Sequence, residues 1–149
     1  MNAAVIEWGV AYQAYPGEPL SGDRHVVVQN SNLAKIAVID GIGHGSEAAQ
    51  AAEAAVDVIQ SYADESVERL FSRCHERLSM TRGAAITLVC FDRAENSLTW
   101  LGAGNVMAGL VRDQGASAPH RTDLMIRSGV VGSQLPALTP LRTELHYGD

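Results

Sequence analysis

The hydrophobic pattern at the start of the chain predicts extended segments. Residues 5–12 are rich in strand-forming types, and two further runs of β-branched residues occupy 25–29 and 35–39. The second and third runs are separated by the polar residues 30–32, whose side chains suit a tight turn, so they are expected to form an antiparallel hairpin. The Pro-Gly-Glu-Pro stretch at 16–19 breaks the first segment. We therefore expect a strand, a loop and a hairpin before residue 41.

The spacing of apolar residues becomes helical after residue 45. Residues 46–62 are rich in alanine and repeat apolar side chains every three or four positions. Ser46 is placed to cap the first turn, and Glu47 is placed to favour the positive end of the helix. A second helix is predicted over 65–79. Its apolar stripe consists of Val67, Leu70, Phe71, Cys74 and Leu78.

Strand patterns return after residue 83. They cover residues 84–91, 97–101, 106–111, 124–126 and 141–146. Strands that surround a pair of consecutive helices indicate an α+β fold, whereas a doubly wound parallel sheet alternates strands with helices. With 149 residues and no evident linker, the chain is expected to form a single domain spanning 1–149.

Charge and composition exclude several classes of function. The formal net charge is −6, and the 11 basic residues form no cluster that would attract a phosphate backbone, so no nucleic-acid partner is expected. No apolar run approaches the length of a membrane span, so we expect no membrane partner and a cytoplasmic location. The 2 cysteines, Cys74 and Cys90, fall in predicted core segments and are expected to be reduced.

Two aspartates beside glycines form the most informative pattern in the chain. Asp40 ends an apolar strand and precedes Gly41 in a glycine-rich turn that leads into a helix. Asp23 follows Gly22 just before the first strand of the predicted hairpin, which would return Asp23 to the side of Asp40. Mg²⁺ and Mn²⁺ prefer oxygen ligands, and no side chain covers a glycine carbonyl. The pattern therefore indicates a divalent-metal site with Asp23, Asp40 and Gly41 as candidate ligands.

Each piece of this pattern also has a simpler interpretation. A Gly-Asp pair before a strand is most often a turn, and Asp40-Gly41 could merely connect a strand to a helix in an unrelated α+β domain. A glycine-rich turn before a helix could bind nucleotide phosphates, but its spacing matches neither the P-loop nor G-x-G-x-x-G with a following acidic residue. His44 could be a ligand, a substrate contact or a helix cap.

Several motifs, taken in order, resemble those of one family. The sequence contains Ser21-Gly22-Asp23, then Asp-Gly-Ile-Gly-His-Gly at 40–45, then Arg-Gly-Ala-Ala at 82–85, then Gly104-Asn105 between two predicted strands. Residues 62–68, between the helices, are similar to RsbX-type phosphatases in particular. Together these motifs span nearly the whole chain and resemble the SpoIIE/RsbX branch of the PPM (2C-type) protein phosphatases.

The resemblance implies a β-sandwich of two antiparallel sheets flanked by helices, with two Mn²⁺ or Mg²⁺ ions at one end. Asp40 would bridge both ions, the carbonyl of Gly41 would bind one, and Asp23 would bind a metal directly or through water. Asp40 and Asp23 would thus be the catalytic carboxylates. Three further residues are candidates for the substrate-facing edge of the site: Gly43, His44 and Asn105.

The implied reaction is hydrolysis of a phosphoserine or phosphothreonine ester by a water molecule that the two ions activate. The implied partner is a phosphorylated bacterial regulatory protein of the STAS type, from a stressosome or an anti-sigma-factor antagonist system.

The end of the sequence departs from the family pattern. The family carries a later metal-binding aspartate in a Thr/Ser-Asp-Gly motif, soon after a Gly-Asp turn, and this sequence ends at Gly148-Asp149. We therefore expect that the C-terminal part of the family domain is missing and that metal affinity is reduced. The alternative hypothesis is a phosphatase-like regulatory module that binds a phosphoprotein without turning it over.

Overall fold

An antiparallel sheet is the largest element of the computed structural model, which describes residues 4–113 and 120–149. The strands are β1 (Asp23–Gln29), β2 (Leu33–Gly41), β3 (Ala84–Asp92), β4 (Ser97–Ala103), β5 (Gly109–Val111), β6 (Arg121–Asp123) and β7 (Leu141–Glu144). Five of them form one sheet in the order β1-β2-β3-β4-β7, and β5 pairs with β6 in a two-stranded sheet. All of these strand pairs are antiparallel.

The predicted hairpin is confirmed, and its turn is built by an asparagine side chain. Asn30 Oδ1 accepts hydrogen bonds from the backbone N–H groups of Asn32 and Leu33, at 2.8 and 2.9 Å. Such local side-chain bonds are the reason that asparagine favours turns. The turn joins β1 directly to β2 and fixes which residues of the two strands face each other.

Two helices, α1 (Gly45–Ser61) and α2 (Val67–Leu78), cover one face of the large sheet. The alanines of α1 let its backbone approach the strands closely, since six of them are buried against the sheet and α2. The apolar stripe predicted for the second helix is confirmed, because all five of its residues are buried. The core therefore lies between the helices and the sheet.

The α+β class and the antiparallel sheets agree with the sequence, but the second sheet is smaller than a full sandwich layer. It contains only β5 and β6 in the described part of the chain. The other face of the large sheet is contacted by loops: Trp100 Nε1 donates to the carbonyl oxygen of Met125 at 3.0 Å, and Thr87 Oγ1 donates to that of Val106 at 2.6 Å. These loops form one wall of the site described below.

Three local predictions are wrong. Residues 5–12 form no strand, because their backbone pairs with a side chain and not with another strand. Gln29 Oε1 accepts hydrogen bonds from the backbone N–H groups of Val5 and Ile6. The Trp8 side chain, 53% exposed, lies against the His25 ring. The N-cap of α1 is His44 and not Ser46, because the helix begins one residue earlier than predicted. The strand expected over 124–126 is absent, and the preceding residues Arg121–Asp123 form β6, which pairs with β5.

Neither helix among the described residues combines the length and apolar character needed to cross a bilayer.

Lys35 is a buried charged side chain that joins β2 to the segment between the helices. The residue is 5% exposed, and its ammonium group donates to the carbonyl oxygens of Ala63 and Glu65, the latter at 2.5 Å. Carbonyl groups just beyond a helix lack partners within the helix, and a cation is favoured there.

Lys35→Met is expected to lower the free energy of unfolding by about 2–3 kcal/mol, because two partly buried carbonyl groups would lose a charged donor. Equilibrium urea unfolding measures this change. Arg93→Met is the matched control: Arg93 is exposed, and its side chain makes no hydrogen bond in the described residues, so a change below about 0.5 kcal/mol is expected. Equal losses in the two variants would contradict the role of Lys35.

Candidate metal centre

Asp23 and Asp40 face each other at one end of the large sheet. The register of β1 and β2 pairs Asp23 with Asp40, as it pairs His25 with Val38. Residues directly opposite each other in antiparallel strands have Cβ atoms about 4.5–5.5 Å apart. Ile39 is buried in the core under the helices, so the alternation of the strand directs Asp40 to the opposite face. The hairpin thus brings the two carboxylates together, as the sequence pattern predicts.

The loop that carries Asp23 is held by its own side chains. Ser21 Oγ accepts the backbone N–H of Asp23 at 3.0 Å. Arg24 Nη1 donates to the carbonyl oxygens of Ser21 and Asp23, both at 2.7 Å, and Arg24 Nη2 contacts Glu53 on α1 at 2.7 Å. Arg24 therefore fixes the loop to the first helix, and its guanidinium group is already engaged by these partners.

Two glycines allow α1 to reach the ends of both strands. The N–H of Gly41 donates to the carbonyl oxygen of Gly22 at 3.0 Å, which continues the hairpin beyond the aspartates. A Cβ atom at Gly41 would lie 2.0 Å from the carbonyl oxygen of Ala48, and one at Gly22 would lie 2.8 Å from Ala48 Cβ. Gly41 is therefore needed for packing, independently of its candidate role as a carbonyl ligand.

Burial raises the pKa of Asp40 above its ordinary value of 3.8. The charge of Asp23 and a side-chain hydrogen bond with it raise this pKa further. Two carboxylates that share a site disfavour each other's ionised form, whereas a cation between them favours it. The pair therefore carries negative charge that a bound cation would neutralise.

A cavity of about 470 Å³ opens beside the aspartate pair. Asp23 and Asp40 line it together with Gly43 and His44 from the turn before α1. The N-terminal segment also lines the cavity, through Gln13, Ala14, Tyr15 and Pro16. Residues 13–16, which follow the segment predicted as a strand, therefore form part of the lining of the acidic site.

A tight turn in this segment holds His44 from two sides. The N–H of Glu18 donates to the carbonyl oxygen of Tyr15 at 2.9 Å, and Pro16 and Gly17 (φ 87°) occupy the centre of the turn. This is the arrangement of a type II turn, in which proline comes first and glycine supplies the positive φ. The Tyr15 ring stacks on the His44 ring with centroids 5.9 Å apart, and Glu18 Oε1 lies 2.5 Å from His44 Nδ1. We refer to residues 15–18 as the histidine clamp.

His44 is the N-cap residue of α1, but its side chain does not cap the helix. It points to the clamp instead, with its side chain 68% exposed. Gly45 (φ 69°) permits this arrangement, because a Cβ atom there would lie 3.0 Å from Glu18 Oε2. Of the three roles that the sequence left open for His44, the capping role is therefore excluded.

A neighbouring cavity of about 510 Å³ shares Asp40 and Gly43 with the first one. It is also lined by Gly41 and, from the loop after β4, by Asn105. Asn105 is exposed and follows Gly104, whose φ of 108° lets the loop turn close over Ala85. Every site residue predicted from the sequence thus lines one or both cavities beside Asp40, and their functional roles stay predictions.

The donor atoms fit a hard divalent cation that keeps part of its water shell. Mg²⁺ in proteins is usually held by one or two carboxylates, with water and substrate phosphate completing its shell. Asp23 and Asp40 supply two carboxylates, and Gly41 supplies a carbonyl group nearby. No group of three or more His, Cys, Asp or Glu side chains suited to a metal occurs within residues 4–113 and 120–149. The Asp149 carboxylate is engaged elsewhere, by Arg112 Nη1 at 2.7 Å.

The sequence alone did not indicate the histidine clamp. The Pro-Gly-Glu-Pro stretch at 16–19 predicts only a break after a strand, and no sequence pattern singles out Glu18 as a site residue. The available signal was the Pro-Gly pair, which favours a type II turn and places the residues before and after it close together. What the turn would contact could not be inferred, because His44 lies 26 positions further along the chain.

Comparison with known proteins identifies the family. The model of the family described as Stage II sporulation protein E (SpoIIE) matches residues 31–148, a span that includes Asp40 and His44. This chain belongs to the SpoIIE family of PP2C-type phosphatase domains. The SpoIIE domain is 30% identical over 90 residues to the phosphoserine phosphatase RsbX of Bacillus subtilis (strain 168). The aligned residues make up 60% of this chain and 45% of RsbX. The chain thus spans about half the length of this curated relative.

Solved structures show the same fold for the SpoIIE domain. One structure comes from work that describes the bacterial stressosome as a modular system adapted to control secondary messenger signalling. It is 30% identical to this chain, with a TM-score of 0.83. That match covers 91% of this chain and 69% of the other. A crystal structure of RsbX in complex with magnesium is 23% identical with a TM-score of 0.81, covering 90% of this chain and 65% of the other.

Proposed function

We propose that this chain is a metal-dependent protein serine/threonine phosphatase that hydrolyses phosphoserine or phosphothreonine on a bacterial regulatory protein. The observation that supports this most strongly is the direct pairing of Asp23 with Asp40 beside a solvent-accessible cavity. Asp23 raises the pKa of Asp40, so the pair is a poor resting arrangement without a counter-ion. Membership of a phosphatase family supplies the reaction class.

Asp23, Asp40 and the carbonyl of Gly41 would hold Mn²⁺ or Mg²⁺, two ions by analogy with the family. When bound, the ions supply charge neutralisation at the phosphoryl group and a more acidic water molecule. The residues of the chain do the positioning: Ser21 and Arg24 hold the backbone at Asp23, and the β1–β2 register pairs Asp23 with Asp40. Gly43 and Asn105 leave open cavities in which the phosphorylated side chain would lie.

The substrate is proposed to be a phosphorylated protein of the STAS type. The support is the similarity to RsbX, a phosphoserine phosphatase, and to a structure described under the bacterial stressosome. An open cavity mouth formed by loops suits a phosphorylated residue on a protein surface, because such a residue reaches the site on a single extended side chain.

A phosphate-release assay tests the proposal. With Mn²⁺, the chain is expected to release inorganic phosphate from a phosphoserine-bearing STAS protein, and a chelator should stop the release. Asp23→Asn is expected to lower the rate by at least about 100-fold through lost metal affinity. Asp64→Asn, at an exposed position between the helices, should leave the rate unchanged. Release that does not depend on metal, or equal losses in both variants, would contradict the proposal.

A regulatory binding module is the second candidate function. It is favoured by the small donor set, because the described residues offer only two carboxylates at the site. Such a module would bind the phosphorylated STAS protein in preference to the unphosphorylated form and release no phosphate over the same period. Measuring binding by calorimetry alongside phosphate release separates the two candidates.

A further inference from the structure

We propose that a further cavity beside the aspartate pair binds an apolar side chain of the substrate, two positions from its phosphorylated serine or threonine. This inference rests on the proposed phosphatase function and adds a sequence preference to it. The cavity has a volume of about 580 Å³. We refer to it as the apolar cavity, and to the cavity lined by both Asp23 and Asp40 as the acidic cavity.

The two cavities are adjacent and share part of their lining. Four residues line both of them: Ala14, Leu20, Ser21 and Asp23. A substrate whose phosphorylated side chain lies in the acidic cavity therefore brings its neighbouring residues to the apolar cavity. The occupant that this continuity indicates is the segment that carries the phosphorylated residue.

The hairpin places the apolar cavity one strand repeat away from the aspartates. On the face of the sheet that carries Asp23 and Asp40, the next cross-strand pair is His25 and Val38, and both of these residues line the apolar cavity. Residues two positions apart in a strand are separated by roughly 6–7 Å, and an extended peptide has the same repeat. A substrate side chain two positions from the phosphorylated residue would therefore reach His25 and Val38.

The lining of the apolar cavity exposes several large apolar side chains to solvent. They are Val10, Tyr12, Leu20 and Val38, which are between 45% and 71% exposed. Scattered exposed apolar residues are ordinary on a protein surface, but these four surround one cavity. An apolar side chain that covered them would remove apolar surface from water, which is favourable.

The ionisable side chains that β1 contributes to this lining are engaged elsewhere. Arg24 is held by Glu53 and by two carbonyl oxygens. The His25 ring lies against the Trp8 ring, with centroids 5.4 Å apart, and Asp23 is proposed to bind the metal. A charged side chain that loses water without gaining a partner is costly to bury. The apolar cavity therefore suits an apolar residue and disfavours an acidic one.

Phosphoserine peptides test this preference in the whole chain with Mn²⁺. The peptides differ only at the position two residues before or two residues after phosphoserine, where they carry leucine, alanine or aspartate. Leucine at one of these positions is expected to raise kcat/KM for phosphate release by at least about 10-fold over alanine, and aspartate should lower it. p-Nitrophenyl phosphate, which has no flanking residue, reports the basal activity.

Val38→Thr replaces an apolar wall of the cavity by a polar one of similar shape. It should reduce the preference for leucine over alanine to less than about 3-fold. Val111→Thr is the matched control, because Val111 is a strand residue, 62% exposed, that lines neither the apolar cavity nor the two cavities beside Asp40. It should retain the full preference. Calorimetric binding of Mn²⁺ should be unchanged in both variants, which reports folding and the acidic site without activity.

Three results would overturn the role of the apolar cavity and leave the phosphatase function standing. They are equal kcat/KM for leucine and alanine at both positions, a leucine preference that Val38→Thr does not change, and a loss of Mn²⁺ binding in that variant. Sedimentation velocity gives a fourth: self-association that Val38→Thr abolishes would mean that a second copy covers the cavity. If the unsubstituted chain releases phosphate from neither the peptides nor p-nitrophenyl phosphate, the proposed function itself fails, and the sequence preference fails with it.

Discussion

Asp40→Asn is expected to abolish Mn²⁺ binding and phosphatase activity while making the metal-free chain more stable. Asp40 is partly buried and directly opposes Asp23, so replacing its carboxylate removes one of the two carboxylates proposed to bind the metal. The same replacement removes a repulsion between two like charges in the metal-free protein. Function and stability should therefore change in opposite directions, as is common for residues that are kept for a site.

The sign follows from the raised pKa of Asp40. The folded chain holds the Asp40 proton more tightly than the unfolded chain, in which the pKa is about 3.8. Raising the pH through that ordinary value removes stability, and the loss is complete once the pH exceeds the raised pKa of the folded state. Asparagine cannot ionise, so the variant avoids this loss.

Thermal unfolding in the presence of a chelator measures the stability part of this prediction. The melting temperature of Asp40→Asn should rise at pH 7 by no more than about 2–4 °C, the shift typical of 1 kcal/mol in a domain of this size, because solvent screens a partly exposed pair. At a pH below 3.8 the gain should disappear. Asp57→Asn changes an exposed aspartate on α1 and should alter neither metal binding nor stability. A lower melting temperature for Asp40→Asn at pH 7 would contradict the repulsion.

Gly41→Ala is expected to lower the free energy of unfolding by about 3 kcal/mol or more. The added methyl group would lie 2.0 Å from the carbonyl oxygen of Ala48 and 2.9 Å from its Cα atom, so α1 would have to move away from the end of β2. Overpacking against a backbone cannot be relieved by rotating a side chain, which places the cost at the upper end of the usual range. Urea unfolding measures the loss.

Gly9→Ala is the matched control for this substitution. A Cβ atom at Gly9 would have no neighbour within 4 Å, and Gly9 does not have the positive φ that would strain an alanine. Its stability should change by less than about 0.5 kcal/mol. If Gly41→Ala were as stable as Gly9→Ala, the close approach of α1 to the strand would be wrong, and with it the packing role of Gly41.

The two helices and the hairpin could be predicted from the sequence because their signals are local. The stripe from Val67 to Leu78 repeats at helical spacing and has one face to bury, and the Asn30 turn lies directly between two β-branched runs. Each such element is specified by residues within a few positions of one another.

The N-terminal segment could not be predicted because its structure depends on distant residues. Residues 5–12 have the composition of a strand, yet their backbone meets the side chain of Gln29 and not a free strand edge. Composition reports the preference of a segment, whereas its final conformation depends on whether a partner is available.

The candidate site divides in the same way. The pairing of Asp23 with Asp40 follows from a local hairpin and was predicted, whereas the contact of Glu18 with His44 joins an irregular loop to a helix start and was missed. Gly41 illustrates a third case. The sequence indicated a ligand, and the structure adds a steric reason for the same glycine that no local pattern contains.

The turn at Asn30 has an influence that reaches well beyond its position. It lies seven residues from Asp23 along β1, a distance of roughly 23 Å at the usual rise per strand residue. A single residue inserted there would slide β1 past β2 by one position and place Asp23 opposite Ile39 or Gly41. Because strand side chains alternate between faces, that slip would also turn one carboxylate toward the helices. An asparagine remote from the acidic cavity thus governs whether its two carboxylates meet at all.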